Sequence, residues 1–336
     1  MENYYPSYQK SFRCLAGDCP DSCCKAWEIC IDERTEKYYR ALPGEYGEHI
    51  RARLTKDEDG DTCFCLENGR CPFLNENGLC DIHIRLGVEH TSDVCRQHPL
   101  FIEEYDGFTE ICPSVSCPAA CELIFSEELT GNVYPCPAPE SSGDELLRML
   151  LRGRKTALEA AARYNFPESA ARIYALSSDL QEIWDCFSPE KTAYDLDAVL
   201  TDDVYKEYDI TADRRYKKTV CKFVSFLLEQ TEILTEEWRT LLKTALQTPS
   251  PREKRAYDEN VRRAFRYFLY RYYLKPVNDE DIMLWTMFCI LSVSVCAEIS
   301  DRTGTDFRET VRLYSKETEH DTVNIERIAE FIAENE

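Results

Sequence analysis

The stretch that decides the fold is residues 14–24, CLAGDCPDSCC, in which four residues are cysteine. Fourteen of the 18 cysteines in this 336-residue chain lie between Cys14 and Cys136. Thiols at this density either pair as disulfides or bind a soft metal. In both cases the chain is held at fixed sulfur positions, and the many Cys-Pro and Asn-Gly pairs around them are typical of turns. We therefore predict short elements and loops in this region.

The later cysteines of this region form two groups, Cys71-x8-Cys80 followed by Cys95, and Cys112-x4-Cys117-x3-Cys121. The last group repeats the offsets of the first three cysteines of residues 14–24. Isolated zinc sites usually show C-x2-C pairs, and this sequence has none. Four thiolates can also hold an iron–sulfur cluster, whose spacings vary more. The spacing indicates a soft metal and leaves zinc and iron–sulfur open, with buried structural thiols as the alternative without metal.

The expected compartment favours metal over disulfides. Residues 1–6, MENYYP, show neither the basic stretch nor the apolar stretch of a secretory signal. We therefore expect a cytoplasmic protein, in which thiols stay reduced. A chain of 336 residues can also bury one or two ordinary cores, so it does not need the disulfides that stabilise small secreted domains.

The charge of the chain restricts its partners. The formal net charge is −22, and acidic residues outnumber basic ones in both halves. Such a chain repels phosphate backbones and anionic lipid surfaces, so we expect no nucleic-acid partner. Residues 282–299 are strongly apolar but contain Thr286, Ser292, Ser294 and Glu298. We interpret this segment as a buried core helix and expect no membrane insertion.

Composition changes near residue 140. Residues 1–140 contain the cysteine groups and are predicted to form an irregular cysteine-rich metal-binding region. Residues 135–143, PCPAPESSG, are typical of a linker. Residues 141–336 show helical periodicity without alternating strands, so we predict an α-helical domain. The predicted fold class is mainly α.

The periodicity of the second half predicts individual helices. Leu146, Leu147, Leu150 and Leu151 fall on one helical stripe, with Asp144 in the position of an N-cap. Breaks such as Pro and Gly separate the further predicted helices, which are 155–186, 213–231, 236–247, 255–275, 279–300, 306–316 and 322–334. We expect Cys186, Cys221, Cys289 and Cys296, which lie in these helices, to be buried thiols.

An aromatic-rich segment at residues 265–273 contains Arg266 and Arg271, and Arg262 and Arg263 lie just before it. Arginine among aromatic side chains can stack on a nucleobase or an adenosyl group. We favour the other interpretation, in which the aromatic rings pack in the core and the arginines extend to solvent.

Three blocks of the first half resemble a known family. Residues 12–32 resemble the opening of the flagellin lysine N-methylase family, which belongs to a wider group named for a zinc- or iron-chelating cysteine motif ending in a Cys-Cys pair. Residues 69–99 match the next block of that family. Residues 110–124 are similar to its Ser-Cys-Pro-x-Ala signature, and residues 265–274 look like its C-terminal half.

The resemblance implies methylation of lysine side chains on flagellin, with S-adenosylmethionine as donor and a bound iron–sulfur cluster of the 4Fe–4S type. Matched by position, the implied metal ligands are Cys14, Cys19, Cys23, Cys24, Cys71, Cys80, Cys95 and Cys117. Cys112 and Cys121 lie beside the third block and are weaker matches. The remaining cysteines of the first half, Cys30, Cys63, Cys65 and Cys136, match no part of the pattern.

Neither common donor-binding signature is present. The sequence has no Gly-x-Gly, and Ala26 occupies the position of the third cysteine in a Cys-x3-Cys-x2-Cys motif. Methyl transfer to lysine needs an aligned donor and loss of a proton from the amine. Residues that flank the cysteine blocks are candidates to assist, namely Asp32, His83, His98 and Tyr105. For His83 and His98 we expect hydrogen bonding near the metal rather than direct ligation.

Two other functions fit the same sequence. The cysteine region can be a non-catalytic zinc- or iron-binding protein-interaction module, in which the metal only stabilises the fold. An iron or redox sensor is the third interpretation. Measuring iron and sulfide per chain distinguishes the non-catalytic module from an enzyme with an iron–sulfur cluster.

Overall fold

The computed structural model describes residues 2–27, 29–57, 60–126, 134–186, 199–200, 213–251 and 258–335. In the cysteine-rich half, the described strands are β1 Glu2–Tyr4, β2 Leu54–Lys56, β3 Thr62–Phe64, β4 Leu100–Tyr105 and β5 Phe108–Pro113. The short helices of this half are α1 Glu33–Ala41, α2 Gly44–Arg51, α3 Asp81–Leu86, α4 Asp93–Gln97 and α5 Pro118–Ile124.

The strands form two small sheets, so the first half is more regular than its turn-rich sequence predicts. β5 lies between β1 and β4, parallel to β1 and antiparallel to β4. β2 and β3 form an antiparallel pair. The turn between β4 and β5 contains Gly107 at a φ of 92°, and a Cβ there would lie 2.0 Å from the carbonyl oxygen of Ser141. Only glycine fits this turn.

The second half is helical, as its periodicity predicts. Its helices are α6 Glu145–Arg163, α7 Phe166–Asp185, α8 Arg214–Glu229, α9 Glu236–Gln247, α10 Glu259–Tyr272, α11 Ile282–Thr303, α12 Phe307–Thr318 and α13 Thr322–Asn335. The predicted N-cap is confirmed, because the Asp144 side chain accepts the Leu147 N–H at 2.8 Å. Part of the predicted start of helix 255–275 lies outside the described residues.

The predicted helix 155–186 is wrong, since the chain breaks at residues 164–165. The Asn165 side chain accepts the N–H of Glu168 at 3.1 Å and starts a new helix. Pro167 follows in the first turn of α7, where its missing N–H costs nothing. The cap and proline signals were both in the sequence, and they override the continuous periodicity.

The apolar helix α11 is a core helix, as predicted. It packs against α7, α8, α9, α10, α12 and α13. Its polar side chains have partners inside the protein: Thr286 donates to Ser177 at 2.7 Å, and Glu298 pairs with Arg302 at 2.7 Å. Among the described residues α11 is the one helix long and apolar enough to cross a membrane, and most of it is buried in the protein.

The aromatic-rich helix α10 packs its rings in the core, as expected, but the expectation for its arginines is partly wrong. Arg263 and Arg271 are buried rather than extended to solvent. Arg271 pairs with Glu103 of β4 at 3.2 Å, and its guanidinium lies 3.8 Å from the ring centre of Phe101. An ion pair and a ring face thus compensate the buried charge.

The described residues form two apolar cores. The larger core fills the helical half and also contains residues of the first half, such as Tyr8, Phe108 and Val115. The smaller core, which we call the small core, lies in the cysteine-rich half and consists of Ile29, Ile31, Tyr39, Ile50, Phe64, Cys71, Phe73 and Ile82. The larger core contains residues from both sides of residue 140. The division of the chain into two domains at that residue therefore stays a prediction.

Candidate metal centre

The eight cysteines matched to the family pattern are all free thiols. Four of the eight predicted ligands line one cavity, with a volume of about 50 Å³. We call them the cavity thiols, and they are Cys14, Cys19, Cys23 and Cys117. Cys117 is far from the other three in sequence, and the fold brings it to them because β5 leads into α5 at this point.

The cavity thiols differ in their local hydrogen bonds. The N–H of Ala16 donates to the sulfur of Cys14 at 3.4 Å. Cys117 is the N-cap residue of α5. Cys19 differs, because its thiol donates to the carbonyl oxygen of Asp21 at 3.3 Å.

One wall of the cavity connects the cysteine-rich half to α12. Asp21 accepts from Lys316 at 2.6 Å and from Arg312 at 2.6 Å. Burial alone would raise the pKa of Asp21, but the hydrogen bonds from these two cations outweigh burial and lower it. Asp21 is therefore ionised at neutral pH and holds the N-terminal loop against α12.

A cluster of aromatic rings also lines the cavity, through Trp27 and His98. The Trp27 ring lies 4.8 Å from the ring of His98 and 4.9 Å from that of His320. Nε2 of His320 hydrogen bonds with the hydroxyl of Ser116 at 3.0 Å. Burial, with a further contribution from Lys316, lowers the pKa of His98 to about 4. Burial also lowers the pKa of His320 to about 3, so both imidazoles are neutral at pH 7.

We call the other four predicted ligands the core thiols, namely Cys24, Cys71, Cys80 and Cys95, because three of them lie at the small core. Cys71 belongs to the small core, and Cys24 and Cys80 pack against it. The Cys71 N–H donates to the Cys24 carbonyl at 2.9 Å. Burial raises the pKa of Cys71 to about 12, and the neighbouring Cys24, Cys95 and Cys80 contribute to the rise.

The adjacent cysteines Cys23 and Cys24 join the two groups. Their thiols hydrogen bond to each other, which lowers the pKa of Cys24 to about 7 and raises the pKa of Cys23. Ser22 also stabilises the Cys24 thiolate. Cys24 therefore ionises first, and a soft metal requires such thiolates.

The described residues contain no group of three or more His, Cys, Asp or Glu side chains placed to hold a single metal ion. A single zinc draws its four sulfurs together at bonds of about 2.3 Å. In a four-iron cluster each thiolate binds a different iron, so the sulfurs lie farther apart. Four thiols around a cavity of about 50 Å³ fit the donor chemistry of a cluster. The metal ligands stay a prediction.

Of the four side chains proposed to assist methyl transfer, His98 is the one that lines the thiol cavity. Asp32 instead caps α1 by accepting the Thr35 N–H at 2.9 Å, which is a structural role. His83 is exposed on α3. Tyr105 stacks on Phe108, and its burial raises the pKa of the phenol.

Cysteines outside the matched eight behave as structural thiols where they are buried. Cys112 contacts the hydroxyl of Tyr8 at 3.3 Å, and Cys289 donates to the carbonyl of Phe268 at 3.3 Å. Cys289 and Cys296 are buried as expected, whereas the expectation for Cys186 and Cys221 is wrong because both are exposed. Cys221 lies on the surface of α8, and Cys186 directly follows the last residue of α7.

A second, larger cleft was not predicted from the sequence. It has a volume of about 1210 Å³ and contains none of the matched thiols. Its walls include Arg262 and Arg266 of α10, Arg308 of α12, and Glu122 of α5. The sequence signal that could have indicated this cleft was the set of arginines in and just before the aromatic segment, which are too numerous for an ordinary core helix.

Comparison with known proteins identifies relatives for part of the chain. It is 29% identical over 129 residues to the Lysine-N-methylase of Salmonella choleraesuis and, at the same identity and length, to that of Salmonella typhimurium. The resemblance to the flagellin lysine N-methylase family is confirmed. The match covers 36% of this chain and 32% of each Lysine-N-methylase, so it spans about a third of those relatives.

A further relative is the Flagellar biosynthetic protein FliU of Salmonella muenchen, which is 27% identical over 128 residues. That match covers 36% of this chain and 76% of FliU. No protein-family profile and no solved structure matches the chain.

Proposed function

We propose that this chain is an enzyme that methylates lysine side chains of flagellin. In this proposal S-adenosylmethionine is the methyl donor, and N-terminal cysteines hold an iron–sulfur cluster. The names of the relatives support lysine methylation on a flagellar protein. The observation that carries the proposal is the cavity, where Cys14, Cys19 and Cys23 meet Cys117 from a distant block of the same family pattern.

The reaction makes modest demands on the protein. The lysine nitrogen forms a bond to the donor methyl while the sulfur–methyl bond breaks, and S-adenosylhomocysteine leaves. The amine must first lose a proton, because its ordinary pKa is about 10.4. The protein must also hold the nitrogen and the methyl group in line.

Of the four side chains proposed to assist, His98 is the one at the cavity. Because burial lowers its pKa to about 4, the imidazole is neutral at pH 7 and a weak base, so it is suited to position the amine by a hydrogen bond rather than to take its proton. Trp27 packs against the His98 ring at 4.8 Å and shields it from water. The cavity thiols would hold the cluster, which supplies an iron centre beside the reacting groups when bound.

The test is methyl transfer by full-length protein purified without oxygen. Incubation with flagellin and isotope-labelled S-adenosylmethionine should place label on flagellin lysines, detected by peptide mass spectrometry. Cys117→Ser should abolish transfer, while Cys186→Ser should not, because Cys186 is exposed and outside both thiol groups. Iron-loaded protein that transfers no methyl group to flagellin would contradict the proposal.

The second candidate is a non-catalytic zinc- or iron-binding interaction module. The position of Cys71, Cys80 and Cys24 at the small core favours a metal that stabilises structure. In that case Cys71→Ser should unfold the small core, and wild-type protein loaded with its metal should bind flagellin without modifying it.

A further inference from the structure

The larger cleft, which we call the arginine cleft, differs in charge from the chain as a whole. The chain has a formal net charge of −22, whereas the side chains that line the cleft include four arginines and three carboxylates. The arginines are Arg262, Arg263, Arg266 and Arg308, and the carboxylates are Glu122, Asp258 and Glu259. The cleft therefore carries a small excess of positive charge on an acidic protein.

Three of the four arginines already have carboxylate partners within the protein. Glu259 pairs with Arg262 and, at 3.4 Å, with Arg263. Arg308 pairs with Asp306 at 3.2 Å. The charges of these three arginines are therefore balanced locally.

Arg266 is the exception among the arginines of the cleft. No carboxylate of the described residues pairs with it, and its Nε is buried without a hydrogen-bond partner there. Its guanidinium carbon lies 5.8 Å from the ring centre of Tyr134, and this contact helps to fix the position of the charge. Buried donors in native proteins are rarely left without an acceptor, so Arg266 points to an anionic ligand that the chain itself does not supply.

The position of Arg266 on α10 supports an anion at the same place. Arg262 and Arg266 are four residues apart, so their guanidinium groups share one face of the helix. Like charges at this spacing destabilise a helix. An anion between them removes the repulsion, and the planar guanidinium fits a carboxylate with two parallel hydrogen bonds.

The size and lining of the cleft favour a polypeptide as the ligand. Pockets for small ligands measure about 300–1,000 Å³, and the arginine cleft measures about 1210 Å³. Leu123, Phe125 and Ala162 line it beside the charged groups, so it offers apolar contacts as well. The three carboxylates of the lining would repel a polyanion such as nucleic acid. An acidic side chain on a peptide fits this combination.

The arginine cleft and the thiol cavity lie at opposite ends of the same two helices. α5 and α12 run antiparallel, since Cys121 donates to the Arg308 carbonyl at 3.8 Å and Arg312 donates to the Ser116 carbonyl at 3.4 Å. Arg308 lines the cleft and Lys316 lines the cavity. These two residues are eight positions apart on α12, which corresponds to about 12 Å along the helix axis.

We propose that the arginine cleft binds an acidic side chain of the protein substrate through Arg266, while the target lysine extends to the thiol cavity. About four residues of an extended peptide cover the distance between the two sites. The chain should therefore select lysines that have Asp or Glu about four residues away. This inference rests on the proposed function for the position of the lysine, whereas binding of the acidic side chain can be measured without methyl transfer.

The first experiment measures peptide binding to wild-type full-length protein by fluorescence anisotropy, without a methyl donor. The probe is a labelled peptide with one lysine and a glutamate four residues to each side of it, and the matched peptide has glutamine at both places. The glutamate peptide should bind about tenfold more tightly, because glutamine loses the charge-assisted hydrogen bonds to Arg266. Equal affinity for the two peptides would overturn the inference.

The second experiment tests the binding residue. Arg266→Gln should bind both peptides with the weaker affinity, and Arg266→Lys should keep part of the preference because it keeps the charge. Arg239→Gln is the matched control, since Arg239 is a half-buried arginine of α9 outside the cleft. A folded Arg266→Gln protein that still prefers the glutamate peptide would overturn the inference. If that variant does not fold, the comparison of the two peptides on wild-type protein decides.

The methyl-transfer assay separates this inference from the proposed function. Methyl transfer to the glutamate and glutamine peptides at equal rates would contradict the inference alone. Peptide binding that depends on glutamate and on Arg266, in protein that transfers no methyl group, would contradict the proposed function alone.

Discussion

At the scale of single residues, the most consequential contact is a buried ion pair that joins the two halves. Arg154 of α6 is 0% exposed and Glu110 of β5 is 4% exposed. Their two hydrogen bonds measure 2.8 and 2.5 Å, and Arg154 also donates to the carbonyl of Tyr270 at 3.2 Å. Removing one partner of such a pair leaves an uncompensated charge in the core.

We predict that Glu110→Gln lowers the free energy of unfolding by about 3–5 kcal/mol, because the Arg154 charge stays buried without its partner. The double variant Glu110→Gln with Arg154→Met removes both charges and should cost less than the single variant. Urea denaturation followed by circular dichroism measures both. A double variant less stable than Glu110→Gln would contradict this explanation.

Acid stability should depend on His320. Its pKa falls from 6.5 in the unfolded chain to about 3 in the folded protein, first because of burial. The unfolded state therefore binds the proton more readily, and stability falls as pH falls below 6.5 towards 3, by about 1.4 kcal/mol per pH unit at most. His320→Gln does not titrate and should show a shallower decline, measured by urea denaturation at several pH values. Parallel curves would contradict the prediction.

At the scale of elements, α11 ends at a residue whose backbone is in the left-handed conformation. Gly304 has a φ of 75° and donates its N–H to the Ser300 carbonyl at 2.9 Å. No atom lies within 4 Å of the position a Cβ would take. The requirement for glycine is therefore purely conformational.

Gly304→Ala should lower the free energy of unfolding by about 1 kcal/mol, because alanine is strained in the left-handed conformation. Gly304→Asn is the matched control and should cost less, since asparagine tolerates this conformation better. Thermal denaturation compares the two. Equal stability of the alanine variant and the wild type would show that α11 can end in another conformation.

At the scale of the whole molecule, the two cores differ in their dependence on metal. The small core has only eight buried members among the described residues, and Cys71, Cys24 and Cys80 form part of its packing. Small cores often need metals or other cross-links for stability. The larger core surrounds α11, and its described thiols, such as Cys289, are outside the matched eight.

Removal of metal by a chelator under reducing conditions should therefore raise amide hydrogen exchange in residues 29–31 and 71–86. Exchange in α11 should stay unchanged and serves as the internal control, because its core does not contain the matched cysteines. Hydrogen-exchange mass spectrometry measures both regions in one sample. Equal protection of residues 71–86 with and without metal would show that the small core is stable alone.

Sequence alone predicted much of the helical half. Asp144 was recognised as an N-cap, and the apolar segment at 282–299 was recognised as a core helix, because caps and periodicity are local signals. The break at Asn165 was missed although its cap and proline were present. A continuous apolar stripe predicts one helix, and a cap within it predicts a break. The pattern alone does not show which of these two signals prevails.

The sequence by itself determined which cysteines belong to the family pattern and that the molecule is mainly α. Tertiary structure alone decided that Cys117 joins Cys14, Cys19 and Cys23 at one cavity, and that His98 rather than Asp32 stands beside them. The physical reason is the distance along the chain between the residues that meet. Spacing fixes neighbours within a turn or a helix, whereas the packing of β5, α5 and α12 determines which distant side chains meet.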